Sequence, residues 1–273
     1  MHGQARAGIM TNAKTDLANF FYKHSEEKYQ SGDIKGAIND LNQAIKNNPK
    51  EAKYYESRIA IFKEQAWEND DSYNRHMGEF FWKLALKDCD ILIDLTQKNK
   101  LSQDNYFRRG DIKKRLKDYQ GAIDDYEKSI EIHSKYEYED KPTNLRPFNE
   151  YATTMYLECA YLKRQLQDYK AAIKYYDKSI ELGESHISYI ARGMTKLIIN
   201  DIQPAYTDFK NAIKLNEEGS LEQLKEYQDY YQKKLDYPTK KMDSSINESE
   251  DLIDIEVFNY LKEYLSNIST ENN

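Results

Sequence analysis

The side chains that most often carry metal or thiol chemistry are few in this sequence, and their spacing forms no recognised site. They are His2, His24, His76, His133, His186, Cys89 and Cys159. No two histidines stand in an HxxxH or HExxH arrangement, and neither cysteine belongs to a CxxC pair, the spacings that bring metal ligands together. The chain also lacks the GxxxxGK[ST] and GxGxxG loops that hold phosphates. The sequence therefore predicts a protein without catalytic activity, bound metal or cofactor.

Composition narrows the classes of partner. The chain has 273 residues, of which 32% are charged and 39% apolar, with a formal net charge of −7 and a pI near 5.4. This balance argues against a nucleic-acid binder, which needs a dominant basic face. No run of 18 apolar residues and no apolar leader is visible, so we expect no membrane contact and a cytoplasmic location. The opening MHGQARAGIM differs from the rest, and we expect it to be in part an appended sequence.

The remaining polar side chains must be positioned by helices. Five segments of the chain share the same sequence pattern, which is helical. The segments are GDIKGAINDLNQAI (32–45), LALKDCDILI (84–93), KDYQGAIDDYEKSI (117–130), QDYKAAIKYYDKSI (167–180) and NDIQPAYTDFKNAI (200–213). Each contains an alanine, then a mostly larger residue four positions on, then a small or apolar residue three further on. This spacing places all three on one face of a helix. The repeated alanines are Ala37, Ala85, Ala122, Ala172 and Ala205.

A further helix precedes four of these segments. It carries a small residue twelve positions before the repeated alanine, which allows two helices to approach closely. These small residues are Ser25, Gly110, Ala160 and Gly193, and the aromatic residues one turn earlier are Phe21, Tyr106, Tyr156 and Tyr189. The connecting turns read Gly-Asp, Lys-Asp, Gln-Asp or Asn-Asp. His24 falls at a usually apolar packing position, where we expect a hydrogen-bonded, partly buried side chain.

This order of aromatic, small residue, turn, alanine, aromatic, alanine and proline resembles the tetratricopeptide repeat. The fullest match is Phe21, Ser25, Gly32-Asp33, Ala37, Ala44 and Pro49, with Leu41 in place of the second aromatic. The repeated alanines lie 48, 37, 50 and 33 residues apart, against a family period of about 34. The two long intervals contain insertions at 64–79 and 135–150, which either form loops or lengthen helices.

The resemblance implies an all-α, right-handed α-solenoid of about five helical hairpins. We expect these hairpins at 18–48, 52–97, 103–133, 147–182 and 186–215. Residues 221–235 have the apolar spacing of a capping helix. Residues 251–265 have that of an amphipathic tail helix, whose expected packing stripe is Leu252, Ile255, Phe258, Leu261 and Leu265. The expected organisation is an N-terminal tail at 1–17, the repeat array with its cap at 18–235, a linker at 236–250, and the tail helix and chain end at 251–273.

In the family, the first helix of each hairpin lines a concave groove that binds proteins or peptides. The candidate partner-binding residues on this face are Tyr22, Glu26, Tyr29, Phe107, Arg108, Asp111, Lys114, Arg115, Leu157, Tyr161, Arg164, Ile190, Met194 and Leu197. The groove is then mixed and basic around Arg108 and apolar towards its C-terminal end. In the alternative interpretation the charges are simply solvated and the apolar half is covered by the chain's own tail. We expect the tail helix to pack on Leu157, Tyr161, Ile190, Met194 and Leu197, in its own chain or in a neighbour.

These features favour a non-catalytic protein-interaction scaffold that holds a peptide or helix of a partner. The first alternative is a regulatory or sensor protein whose tail helix occupies the groove until it is displaced. The second is a non-catalytic assembly subunit of an enzyme complex. A homo-oligomer formed through the tail helix is compatible with all three. Chaperone-binding relatives clamp two carboxylates with Lys and Asn, but here Tyr22, Glu26 and Ser57 stand at those positions and only Arg108 matches.

Overall fold

The computed structural model describes residues 2–69, 74–96, 102–139, 148–236 and 248–271, and it is helical almost throughout. The helices are α1 (His2–Gln30), α2 (Ile34–Asn47), α3 (Ala52–Glu68), α4 (Arg75–Thr96), α5 (Ser102–Arg115), α6 (Tyr119–Glu139), α7 (Phe148–Gln165), α8 (Tyr169–Leu182), α9 (His186–Ile198), α10 (Ile202–Leu215), α11 (Glu217–Asp236) and α12 (Glu248–Glu271). No β-strand occurs within these ranges. The expected all-α repeat fold is confirmed.

Consecutive helices pair as five hairpins at the predicted places, except that the first helix begins at His2 and so includes most of the expected tail at 1–17. The chain divides into two compact units, Met1–Thr143 and Asn144–Asn273. Unit 1 contains the hairpins α1/α2, α3/α4 and α5/α6, and unit 2 contains α7/α8 and α9/α10, followed by α11 and α12. The insertion at 64–79 mainly lengthens α3 and α4, and that at 135–150 lengthens α6 and contributes the first turn of α7. Residues 70–73 and 140–147 of these insertions lie outside the described residues.

The two helices of a hairpin meet at the small residues that the sequence singled out. A β-carbon added to Gly110 would lie 2.8 Å from Cε1 of Tyr126, and one added to Gly193 would lie 2.5 Å from Cε1 of Phe209. Both distances are shorter than real contacts, so only glycine fits there without a shift. All five repeated alanines are fully buried on the opposing helices. Each hairpin is therefore closed by a small residue on its first helix or its second, and in most cases by both.

The turn between the two helices has the same backbone conformation in four hairpins. Gly32, Lys117, Gln167 and Asn200 have φ angles of 83°, 63°, 58° and 61°, the left-handed region that reverses the chain after the first helix. The aspartate that follows begins the second helix. The Asp33 carboxylate accepts a hydrogen bond from the Gly36 N–H at 2.9 Å, and Asp118 accepts one from Gly121 at 3.0 Å. The dipeptides noted in the sequence are thus a reversal residue and a helix N-cap.

Buried arginine–aspartate pairs join the two helices of three hairpins, a feature that the sequence analysis missed. Arg58 donates to Asp88 at 2.7 and 2.6 Å. Arg109 binds Asp125 at 2.8 and 2.6 Å, and Arg192 binds Asp208 at 2.9 and 2.6 Å. Each aspartate stands three residues after the repeated alanine, on the buried face of its helix. Such two-pronged contacts satisfy both carboxylate oxygens, as burial of the charge requires.

The remaining two hairpins show variants of this pair. In α1/α2 the acid is Asp40, whose carboxylate lies 2.8 Å from His24 Nδ1 and 2.8 Å from Lys28 Nζ. His24 is partly buried, as expected, and lies beside this carboxylate. In α7/α8 the two positions are Cys159 and Tyr175, so the arginine and the aspartate are replaced together. Because both partners are replaced, no charged side chain is buried without its counter-charge. Replacing both partners costs less stability than replacing one.

The closely packed alanines provide a test of this packing. Ala122→Leu and Ala172→Leu should each lower the free energy of unfolding by about 1–3 kcal/mol, because added methylenes have no space between the helices. Asp124→Leu, on the exposed face of the same helix as Ala122, should change it by less than about 0.5 kcal/mol. Denaturant midpoints measure all three. Equal midpoints for Ala122→Leu and Asp124→Leu would contradict the described packing.

The turn conformation provides a second test. Lys117→Gly should raise the free energy of unfolding by up to about 1 kcal/mol, because glycine adopts a positive φ without the steric cost that lysine has there. Gly32→Ala should lower it by a similar amount, since nothing lies within 4 Å of an added β-carbon and only the backbone conformation opposes the change. Thermal unfolding of the two variants gives both values. A loss of stability in Lys117→Gly would show that the turn does not need this conformation.

Candidate functional site

An open pocket lies on the face of unit 1 that is formed by first helices. It has a volume of about 530 Å³ and is lined by Glu56, Ser57, Ile59, Ala60, Lys63 and Arg108. The first five residues belong to α3, and Arg108 comes from α5, so the pocket spans two neighbouring hairpins. Ala60 provides exposed apolar surface and Ile59 lies buried at the pocket wall, while the polar groups stand around them. Arg108 is the one predicted partner-binding residue in this lining.

Two cations of the pocket pair with no acidic side chain among the described residues. Within the described part of the chain, neither Lys63 nor Arg108 forms an ion pair or a side-chain hydrogen bond. Arg58 and Arg109, their near neighbours in sequence, are instead held by buried aspartates. Lys63 and Arg108 therefore have their full hydrogen-bonding capacity available to a ligand.

The predicted residues of α1 are engaged with α3. The Tyr22 hydroxyl shares a hydrogen bond of 3.4 Å with Ser57 Oγ, and Lys53 Nζ lies 4.9 Å from the centre of the Tyr22 ring. Burial, with hydrogen bonding to and charge from Glu26, raises the pKa of Tyr22. The Tyr29 hydroxyl donates to Glu64. Tyr22, Glu26 and Tyr29 thus form the α1 side of this face, with part of their polar capacity used inside the molecule.

The predicted residues of α5 other than Arg108 have internal partners. The rings of Phe107 and Tyr126 lie 6.0 Å apart, and the Tyr126 hydroxyl donates to Asp111 at 2.7 Å. Lys114 lies 3.7 Å from the same carboxylate. The Arg115 guanidinium lies 3.9 Å from the centre of the Trp67 ring, whose side chain is 50% exposed. Phe107, Asp111 and Lys114 belong to local packing, while Arg115 and Trp67 present a cationic and aromatic surface.

The predicted residues of α7 lie in unit 2 and separate into three environments. Leu157 packs against the cluster of Ala160, Ala172, Tyr176 and Ala191. Tyr161 is 49% exposed. Burial by itself would lower the pKa of Arg164, but its hydrogen bond and charge interaction with Tyr176, together with Tyr227 and Tyr231, raise it. Arg164 is accordingly a charged side chain held among tyrosine hydroxyls.

The apolar part of the predicted site is covered by the chain itself. Ile190, Met194 and Leu197 are buried in one cluster with residues of the last two helices. These are Leu224 and Tyr231 of α11 and Val257, Leu261 and Tyr264 of α12. The three α9 residues are therefore buried against the chain's own last two helices in this structure. The apolar half of the groove was expected either to bind a partner or to be covered by the chain's own tail. In this structure the tail covers it.

The tail helix docks on the α9 part of the expected groove, but in a different rotation from the one expected. The predicted stripe of Leu252, Ile255, Phe258, Leu261 and Leu265 is wrong in part, because Val257, Leu261 and Tyr264 form the buried line and Ile255 is 42% exposed. The expected contacts with Leu157 and Tyr161 are also absent from that cluster. A valine and a tyrosine face the groove because aromatic rings of α10 provide the contact surface there. Tyr264 lies 4.9 Å from the Tyr206 ring and 5.3 Å from the Phe209 ring.

The family model of the tetratricopeptide repeat matches this chain twice, at residues 103–136 and 153–186. These matches fall on the hairpins α5/α6 and α7/α8, and the other three hairpins have the same alanine register. The two hairpins α5/α6 and α7/α8 are tetratricopeptide repeats. Tetratricopeptide repeats are in general a non-catalytic fold for protein interaction.

Solved structures give a likeness of fold. MamA from Desulfovibrio magneticus RS-1, from its residue 41 to its end, is 14% identical and superposes with a TM-score of 0.50 over 74% of this chain and 97% of its own. The MamA RS-1 ArsTM double mutant gives a TM-score of 0.51 at 14% identity, over 75% and 97%. YrrB, a TPR protein with an unusual peptide-binding site, is 13% identical and gives 0.45 over 82% and 91%. At these identities the two MamA structures support the repeat fold alone.

Two further features of the described residues bear on the site. Across the described ranges, no three His, Cys, Asp or Glu side chains come together in an arrangement that could hold a metal ion. None of the described helices combines the length and apolar character that a membrane crossing requires.

The thiol beneath the pocket provides a test of its burial. Burial raises the pKa of Cys89 to about 12, although Arg108 and Lys63 lower it in part. At pH 8 the thiolate fraction should therefore be about a thousandfold below that of an ordinary cysteine, and alkylation of Cys89 should be slower by at least that factor. Mass spectrometry of the Cys89 peptide, with the urea-unfolded chain as the control, measures the rate. A folded-state rate within tenfold of the unfolded rate would contradict the described environment.

Proposed function

We propose that this chain is a tetratricopeptide-repeat interaction scaffold, and that the first-helix face of unit 1 binds a peptide segment of a partner protein through a carboxylate. The observation that carries the proposal is the pair of unpaired cations, Lys63 and Arg108, in an open pocket of about 530 Å³. A carboxylate bound there would receive hydrogen bonds from a guanidinium and an ammonium group, which are the strongest donors that side chains offer.

The surroundings of the pocket favour an extended peptide over a small ligand. Apolar surface from Ala60 lies beside the cations, and the exposed Trp67 with Arg115 provides further contact area along the same two helices. An extended segment can place an acidic side chain at Lys63 and Arg108 and an apolar one near Trp67. Aromatic and arginine side chains are enriched among residues that dominate binding energy at interfaces.

The acidic residues of this face limit how many carboxylates it accepts. Glu56 lines the pocket and Glu26 stands on the neighbouring α1, so a second carboxylate on that side would meet like charge. This arrangement differs from the two-carboxylate clamp of chaperone-binding relatives. We therefore propose a partner segment with one acidic group, flanked by apolar or basic residues.

The double variant Lys63→Ala/Arg108→Ala tests this function. Against an array of ten-residue peptides with a single acidic residue, it should bind the peptides selected by the wild-type chain at least tenfold more weakly, since hydrogen bonds to charged groups contribute about 1.5–3 kcal/mol each. The charge-matched control is Lys35→Ala/Lys46→Ala, on the exposed face of α2. Anisotropy titrations give the affinities. Equal affinities for the double variant and the control would exclude the pocket as the peptide site.

A second candidate function is favoured by a separate observation. In unit 2, α12 lies on Ile190, Met194 and Leu197, the residues of α9 that were expected to bind a partner. A regulatory protein whose tail helix occupies its binding groove until a partner displaces it would have this arrangement. The two candidates are compatible, because they concern different units of the chain.

A further inference from the structure

The first-helix face of α9 differs from those of the other hairpins. Relative to the small residue of each first helix, the positions three before, one after and four after can be compared across hairpins. In α5 they hold Phe107, Asp111 and Lys114, and in α7 they hold Leu157, Tyr161 and Arg164. In α9 they hold Ile190, Met194 and Leu197, all apolar and all buried. A fully apolar line at these positions occurs where a helix covers it.

The covering helix is amphipathic and held at its edges. Leu261 and Val257 are fully buried in the cluster, and Tyr264 lies against the α10 rings described above. The Tyr206 hydroxyl donates to the Tyr260 carbonyl at 3.0 Å, and the Tyr260 hydroxyl donates to Asn200 at 3.1 Å. These contacts fix both the depth and the rotation of α12 on α9 and α10.

The covering helix is also strongly acidic, and one of its acids faces the tyrosine and arginine cluster of the groove. Residues 248–271 contain seven acidic side chains and one basic side chain. The charge of Asp254 is among the influences that raise the pKa of Tyr231, after burial, and Arg164 acts on the same hydroxyl in the opposite direction. Asp254, Val257, Leu261 and Tyr264 share one face of the helix, because they are three, four and three residues apart.

The covering helix is an addition to the array rather than its end cap. The helix α11 begins at Glu217, directly after α10, and packs on it, as expected for the cap. The helix α12 begins only after the eleven residues 237–247 and packs on α9 and α11. A short connection of this kind gives a tethered segment an effective concentration on the order of millimolar, so a groove can be filled in cis by a helix of modest intrinsic affinity.

We propose that the groove of unit 2 formed by α9, α10 and α11 is a helix-binding site, that α12 is its internal occupant, and that its external partner is an acidic amphipathic helix with the pattern of Asp254, Val257, Leu261 and Tyr264. This inference rests on the second candidate function and specifies the chemistry of its partner. The partner helix presents a carboxylate, two aliphatic residues and a tyrosine on one face. With these side chains it makes the same contacts with the groove that α12 makes.

The experiment uses the full chain and a fluorescent synthetic peptide of residues 248–271 as the probe. The chain variant Val257→Ala/Leu261→Ala should bind the wild-type peptide at least tenfold more tightly than the wild-type chain does, because its own α12 competes less well. The matched control is Ile255→Ala/Asn259→Ala, since both side chains are exposed on the same helix. Its affinity for the peptide should equal that of the wild-type chain.

Two further measurements separate groove binding from charge attraction and from unfolding. A peptide with the Val257→Ala/Leu261→Ala changes keeps all its acidic residues and should bind at least tenfold more weakly. Hydrogen exchange of the chain variant should show lost protection in α12 with protection retained in α10. Adding the wild-type peptide should then increase the protection of α9.

Three results would overturn the proposal. The first is equal binding of the wild-type and altered peptides, which indicates attraction by charge alone. The second is loss of protection in α9 and α10 together with α12, which makes α12 part of the folding core. The third is a wild-type dimer that the Leu261 change dissociates, which makes the occupant the α12 of a second copy. Protection of α9 reports on this groove, whereas the single-acid peptides report on Lys63 and Arg108, so failure here is distinguishable from failure of the unit 1 pocket.

Discussion

The contact on which the rest of this structure depends is the close approach of two helices at a glycine or alanine. At Gly110 and Gly193 even one added carbon would overlap an aromatic ring of the opposing helix. Because the helices are this close, the arginine of a first helix donates two hydrogen bonds to the aspartate of the second. The burial of that pair is tolerated because both partners are fully satisfied. The same separation leaves the outward face of each first helix free to carry residues with no role in closing the hairpin.

Basic residues of the first helices therefore lie in two different environments. Arg58, Arg109 and Arg192 point towards the second helix and are held by aspartates, so they stabilise the fold. Lys63 and Arg108 lie on the outward face, where they line an open pocket and pair with no acidic side chain of the described ranges. Arg108 and Arg109 are adjacent in sequence, and a rotation of about 100° about the helix axis separates a binding residue from a structural one.

The outward face also accounts for the different character of the two units. In unit 1 its residues are polar or aromatic, and it carries the pocket. In unit 2 the α9 part is apolar and is buried beneath α12, since an exposed line of Ile190, Met194 and Leu197 would be unfavourable in water. A groove that its own chain already fills indicates the size, the helical form and the acidic character of the ligand that fits it.

The helical hairpins, their register and the turn residues could be predicted from the sequence, because they depend on local spacing. The signals were the repeated alanine, a small residue twelve positions earlier, and an aspartate before the second helix of four hairpins. The outward face could be predicted in the same way, and Arg108 on it lines the pocket. The buried arginine–aspartate pairs also have a local signal, the aspartate three residues after the repeated alanine. Which charged residues pair with one another depends instead on the tertiary fold. It also decided which face of α12 was buried, since apolar residues occur on several sides of that helix and the rings of Tyr206 and Phe209 select Val257, Leu261 and Tyr264. Pairing and rotation depend on residues that are distant in sequence, and spacing along one helix carries no information about them.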